Sequence, residues 1–234
     1  VFFCNDSILE RKVAIKVVPE AENIRRIDDE ISALLKMRSK HVVQVYDVLR
    51  SESGELAIVQ EFIDGVDLLD RSSRPDSLPD YLKLLWQIAS GLADIHALNV
   101  IHRDIKPNNM KIDREGILKI YDFGLSRDEG DDASTLGFVG TPGFAAPELY
   151  ANKVKFSSSV DVYAFGATAL YLGLDDLPYD LKRRPPRLEN SRDYFSAINF
   201  VLPDEIKLFL NKCLSQSEED RPKMSDVRAS LAKH

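Results

Sequence analysis

The strongest constraint in the chain is the run Ile101-His102-Arg103-Asp104-Ile105-Lys106-Pro107-Asn108-Asn109, with Asp122-Phe123-Gly124 beginning thirteen positions beyond it. Within that stretch stand a carboxylate able to accept a proton (Asp104), a cation two residues later (Lys106) and two hard oxygen donors (Asn109 and Asp122). Such a set suits chemistry that depends on positioning and charge neutralisation more than on covalent attack. A lone tripeptide would mean little. Here Val13-Ala14-Ile15-Lys16 precedes the two runs and Ala146-Pro147-Glu148 follows them, so coincidence has little room.

The periodicity around these runs changes along the chain. Val13 to Val18 is a β-branched run ended by Pro19, which reads as a strand. Ile24, Ile27, Ile31 and Leu34 recur at helical spacing and predict an amphipathic helix from about Asn23 to Met37. Strands are expected over Val42–Leu49 and Leu56–Phe62, with a turn at Ser51-Glu52-Ser53-Gly54 between them. From Asp80 onward helices dominate. Leu82, Leu85, Ile88, Leu92 and Ile95 form a stripe that stops at Asn99. A short strand, Ile117–Tyr121, delivers Asp122, and helices are expected over Ser159–Leu172, Asp204–Leu214 and Met224–Leu231.

Taken together, these motifs resemble the eukaryotic-type protein kinase family, from Val1 to about Pro222. The resemblance implies an α+β, bilobal protein-kinase-like fold in a single domain over 1–234. A small β-rich N-lobe (1–64) would be joined to a mainly helical C-lobe (65–234), with ligand in the cleft between them. The implied activity is that of a protein serine/threonine kinase, moving the γ-phosphoryl of ATP to a protein hydroxyl with Mg²⁺.

The resemblance also assigns roles. Asp104 accepts or orients the proton of the substrate hydroxyl, Lys106 neutralises charge on the transferred group, and Asn109 and Asp122 hold the metal. Lys16 holds the α- and β-phosphates and is itself held by Glu30, with Asp29 as the rival partner. The base meets backbone groups of Glu61 and Ile63, Ala14 lines the site, Gln60 guards its back, and Asp67 falls at a ribose contact. Thr141 contacts Asp104 and Lys106. Arg103 would pair with a phosphate placed on Ser134 or Thr135, although an ordinary polar loop is an equal reading of that segment. His102 and Phe123 are expected in a hydrophobic stack with Leu34 and Val45, and Glu148 with Arg221 in a buried ion pair. His96 is expected to be core or surface and not functional.

Two departures matter. Lys111 occupies the place under the adenine ring where an apolar residue is usual; its stem could cover the base with the amine turned outward, or it could weaken binding. No glycine precedes Gly54, so the family's phosphate-covering loop is not found, and loose ATP binding with slow turnover is expected. An activating partner or self-association could supply that cover. These departures favour a rival reading, a pseudokinase acting as a binding or scaffold module, which the complete catalytic set opposes. A small-molecule kinase is disfavoured by Thr141 and Ala146-Pro147-Glu148, which serve protein substrates.

Bulk properties bound the remaining possibilities. A net charge of -7 argues against nucleic-acid and anionic-membrane surfaces, and the one basic run, Lys182 to Arg187, reads as a solvated loop. Cys4 and Cys213 lack metal or redox spacing, no signal peptide opens the chain, and no apolar run approaches the roughly eighteen residues of a membrane span, so a cytoplasmic protein is expected.

Overall fold

Period-2 alternation in Arg11–Val18 (β2) sends Val13 into the core, 3% exposed, and places Ala14 and Lys16 together on the opposite face. In the computed structural model, which describes residues 1–18, 31–52, 55–123, 140–151, 156–189 and 192–234, this strand is central to a four-stranded antiparallel sheet. Its neighbours are Phe2–Asp6 (β1) and Leu56–Glu61 (β4), with Val45–Arg50 (β3) at the edge in the order β1-β2-β4-β3. Asp6 sets the first hairpin by accepting the N–H groups of Ile8 and Leu9, each at 3.1 Å. Residues 31–36 are helical (α1) and bury Ile31 and Leu34; the rest of the helix expected from Asn23, Glu30 included, lies outside the described residues.

A second sheet joins the first to the helical part. Gly65–Asp67 (β5), Met110–Asp113 (β6) and Leu118–Ile120 (β7) pair antiparallel in that order. Glycine is required at 65, because a Cβ there would stand 2.1 Å from the Ile112 carbonyl oxygen. Val43 donates to the Ile120 carbonyl at 2.8 Å and Ile120 to that of His41 at 2.9 Å, which fixes β7 against the chain leading into β3.

Leu78–Ala97 (α2) starts at a Ser77 cap that accepts the Asp80 N–H at 3.3 Å. Leu82, Leu85, Ile88, Leu92 and Ile95 are all buried along it, as their spacing predicts. The chain leaves the helix through Asn99, whose φ of 57° is tolerated by asparagine better than by most residues. Ser159–Leu174 (α3) is apolar nearly all round and accordingly runs through the core. Tyr179–Lys182 (α4), Asp204–Cys213 (α5) and Met224–Leu231 (α6) complete the helical part, α6 packing on α2. The result is the α+β arrangement expected, a β-sheet region followed by a helical one.

The ion pair expected between Glu148 and Arg221 is present and bidentate, at 2.6 and 2.8 Å, with the Arg221 side chain 0% exposed. Arg221 also donates to the carbonyls of Ser159 and Ser215, so one cation ties the start of α3 to the loop beyond α5.

Candidate active site

Asp161, fully buried at the start of α3, organises the catalytic run from below. Its two oxygens accept the N–H groups of His102 and Arg103, both at 2.8 Å, and His96 Nε2 lies 2.9 Å from the same carboxylate. Burial pushes this carboxyl up, but the hydrogen bond and charge of His96, with the charge and N–H of His102, outweigh burial and hold it below the ordinary carboxylate range. The two accepted N–H groups hold Arg103 at φ 69°, in the left-handed region, a conformation that costs about 1–3 kcal/mol unless its surroundings impose it. His96, read from sequence as core or surface, is thus a structural partner of Asp161.

The turn directs Asp104 inward, 8% exposed. Its Oδ1 accepts the Thr141 hydroxyl at 2.9 Å, and its Oδ2 meets Lys106 Nζ at 2.8 Å and Asn109 Nδ2 at 3.0 Å. Lys106 Nζ also donates to Thr141 Oγ1 at 2.8 Å, and Asn109 Nδ2 to the Asp104 carbonyl at 2.7 Å. Four residues selected from the sequence therefore form one hydrogen-bonded unit. Pro107–Asn109 forms a single 3₁₀ turn that brings Asn109 back towards Asp104.

Asp122 follows directly on β7. The Tyr121 N–H donates to the Asn109 carbonyl at 3.0 Å, coupling the two oxygen donors, and Asp122 takes φ 65°. The Lys16 ammonium hydrogen-bonds Asp122 Oδ1, with the Phe123 carbonyl at 3.5 Å. Glu30, the partner expected for Lys16, lies outside the described residues, as do Ser134 and Thr135. His102 is not placed to act as a base. Its ring is buried 4.9 Å from that of Phe123, its Nε2 meets the Tyr121 carbonyl at 3.1 Å, and burial chiefly pulls its pKa down. Leu34 and Val45 belong to the same apolar cluster as Phe123.

An open cleft with about 680 Å³ of empty space lies between the two sheets. Ala14 and Lys16 line it from β2, Gln60 and Glu61 from the end of β4 with Ile63 just beyond, Lys111 from β6, and Tyr121 and Asp122 from the residues after β7. Asp67 touches this wall through others, accepting the Tyr121 hydroxyl at 3.1 Å and standing 3.6 Å from Lys111 Nζ. Arg103, the expected phosphate partner, lies 5.3 Å from the Phe156 ring.

Asn109 and Asp122 fit a hard divalent cation. Asn109 directs its amide nitrogen to Asp104, which leaves its side-chain oxygen to ligate, and the Asp122 side chain is 44% exposed beside the cleft. Among the described residues no group of three or more His, Cys, Asp and Glu could hold a metal, so two protein oxygens would have to be supplemented by phosphate and water.

Besides the pairing of His96 with Asp161 and of Tyr121 with Asp67, two further contacts were not legible in the sequence. Lys119 Nζ lies 2.7 Å from Glu61 Oε1 and joins β7 to the end of β4. The Tyr121 hydroxyl donates to the Asn108 carbonyl at 2.7 Å. The first left a signal: Leu118 and Ile120 point inward, so Lys119 had to face the other way and needed an acid there.

A β-sheet region, a helical region, the cleft lined from both sheets and the hydrogen-bonded unit around Asp104 together define the class of fold. Residues 1–231 match the family described as the protein kinase domain, and the chain belongs to that family. It is 31% identical to mitogen-activated protein kinase kinase kinase YODA of Arabidopsis thaliana, over 86% of this chain and 23% of that protein. It is 30% identical to CBL-interacting serine/threonine-protein kinase 8 of the same plant, over 97% of this chain and 52% of that protein. Carbon catabolite-derepressing protein kinase of Saccharomyces cerevisiae is 30% identical over 82% of the chain and 31% of its own length. The chain thus spans about half the length of these relatives or less.

Proposed function

We propose that this domain, residues 1–234 with lobes dividing after Asp64, is an ATP-dependent protein serine/threonine kinase that uses Mg²⁺. The observation that carries the reading is the unit in which Asp104 is met by Thr141, Lys106 and Asn109 at 2.8–3.0 Å. A substrate hydroxyl placed at Asp104 gives its proton to that carboxylate as its oxygen bonds to the γ-phosphorus. The bond from the γ-phosphorus to the β,γ-bridging oxygen breaks, and ADP carries away the electron pair. Lys106 stabilises charge on the transferred group, and Lys16 shifts from Asp122 towards the α- and β-phosphates. Mg²⁺, held by Asn109 and Asp122, would neutralise the phosphate oxygens.

The adenine would meet backbone groups of Glu61 and Ile63, with Ala14 and Lys111 on the walls and the ribose towards Asp67. Proteins bearing Ser or Thr are the substrates under this reading, and an activating partner or self-association would act on the same site. Among the described residues no helix is long and apolar enough to cross a membrane. Both cysteines are free, which suits the cytoplasm we assign.

The test is transfer of labelled phosphate from ATP with Mg²⁺ to a mixed Ser/Thr peptide library, beside Asp104→Ala. Incorporation on Ser and Thr that disappears in the variant supports the reading. ATP binding without transfer in the native protein would support the scaffold alternative.

A further inference from the structure

The net charge of the chain is -7, yet Lys182, Arg183, Arg184 and Arg187 crowd into six positions. Leu181 (0% exposed), Pro186 and Leu188 (8% exposed) are buried, so they pin this loop to the core, while Arg183, Arg184 and Arg187 between them face solvent. Two neighbouring acids are already engaged. Asp176 takes Lys182 at 2.6 Å, and Asp180 takes Arg192 at 2.8 Å while its carbonyl accepts the Arg187 N–H at 3.1 Å. Among the described residues no carboxylate lies within ion-pair range of Arg183, Arg184 or Arg187. Pro185 and Pro186 restrict φ at two successive positions between Arg184 and Arg187, so the guanidinium groups are carried on a stiffened strap.

The strap follows in sequence on the loop that meets the segment leaving the catalytic unit. The segment that starts at Thr141, the hydroxyl partner of Asp104, passes over the loop following α3. A Cβ at Gly143 would lie 2.8 Å from Leu177 Cδ1, and the Phe144 ring packs 5.9 Å from that of Tyr171. Leu177 lies in that loop, and four residues further on the fully buried Leu181 anchors the start of the strap; the Tyr150 phenol at the far end of the segment is raised by burial, with the charge of Arg184 opposing the rise. A chain lying across Thr141–Tyr150 to present a hydroxyl to Asp104 would pass the loop at Leu177, which leads through Leu181 into these arginines.

We propose that Arg183, Arg184 and Arg187 select substrates in which the phosphorylated Ser or Thr is flanked, on one side, by Asp or Glu. The proposal rests on the kinase reading above. Planar guanidinium forks match carboxylates in pairs of parallel hydrogen bonds, and their partial exposure favours a transient, salt-sensitive contact.

The test uses peptides with one Ser in an uncharged background and two Asp placed either before or after it. Both kcat/KM and binding, by fluorescence anisotropy without ATP, are measured. One of the two Asp peptides should bind and turn over about three- to tenfold better than the neutral peptide. The gain should vanish in the variant Arg183→Ala/Arg184→Ala/Arg187→Ala, and Arg183→Glu/Arg184→Glu should prefer the Lys counterpart. Turnover of the neutral peptide should be unchanged in both. No gain in the native protein, or an equal gain in the variants, overturns the proposal. So does binding of an oligonucleotide or an anionic vesicle through the strap with no preference for the Asp peptides. If not even the neutral peptide is phosphorylated, the kinase reading fails by itself, and the anisotropy measurement still decides whether the strap binds acidic peptides.

Discussion

The Thr141 hydroxyl donates to Asp104 Oδ1 at 2.9 Å while accepting from Lys106 Nζ at 2.8 Å. One small side chain from beyond residue 139 thereby fixes the separation of the Asp104 carboxylate and the Lys106 ammonium, and it is not among the residues that line the cleft with Lys16. Replacing it should disturb the transfer step and spare the nucleotide.

Thr141→Val keeps the shape and removes the hydroxyl. It should lower kcat about ten- to a hundredfold, the cost typical of a misplaced reacting group, with KM for ATP unchanged. Thr141→Ser should restore most of the rate. Steady-state kinetics at varied ATP checks both expectations.

Lys119 and Glu61 form a pair whose side chains are 14% and 24% exposed, between the surface and buried extremes. Lys119→Met leaves the carboxylate half-paired, with only the Gln44 N–H at 3.1 Å. The expected loss is about 1–3 kcal/mol in urea unfolding, together with a raised KM for ATP, because Glu61 and Ile63 line the cleft. Lys119→Arg should recover both. A KM that stays put would separate this pair from nucleotide binding.

Much of this arrangement could be read from the sequence, for a physical reason. The spacing of Asp104, Lys106 and Asn109 is local: one turn and one 3₁₀ step fix their relation, so a short pattern suffices. The stripe of α2 and the whole of α6 were likewise legible, since one buried face leaves a periodic trace. Residues 65–67 and 110–113, by contrast, were not read as strands. They are three and four residues long, too short for alternation to declare itself, and are defined by pairing across the chain. The contact of the Tyr121 hydroxyl with Asp67 and the pairing of His96 with Asp161 were missed for a related reason. Each joins elements dozens of residues apart, and only packing reveals such partners.

Arg221 is fully buried and its charge is compensated chiefly by Glu148. Arg221→Met should strand that carboxylate and cost about 3–5 kcal/mol in chemical denaturation. Arg221→Lys should recover only part of the loss, because an ammonium cannot reproduce the two-pronged contact at 2.6 and 2.8 Å. A Lys variant as stable as the native protein would contradict this account of the pair.

Acidification should destabilise the fold. Burial holds His102 and His41 below the ordinary histidine pKa, against the opposing charge of Asp161 at His102 and the Leu118 carbonyl at His41. With folded values depressed, both rings remain neutral where the unfolded chain takes up protons. Their contribution is complete above about pH 6.5 and is lost as pH falls below it, by at most about 1.4 kcal/mol per pH unit for each ring. Urea midpoints at pH 7.5, 6.5 and 5.5 should therefore decline, and His102→Tyr should flatten the decline. A midpoint that rises on acidification would reverse the assigned sign.

Under the proposed function the carboxylate of Asp104 serves the transfer and not the binding of ATP. This role is tested most directly by measuring single-turnover phosphate transfer and the Kd for ATP in native protein and Asp104→Asn. The rate should be lower by about a hundred- to ten-thousandfold, with Kd within about twofold of the native value. Transfer that persists in Asp104→Asn at the native rate would contradict it.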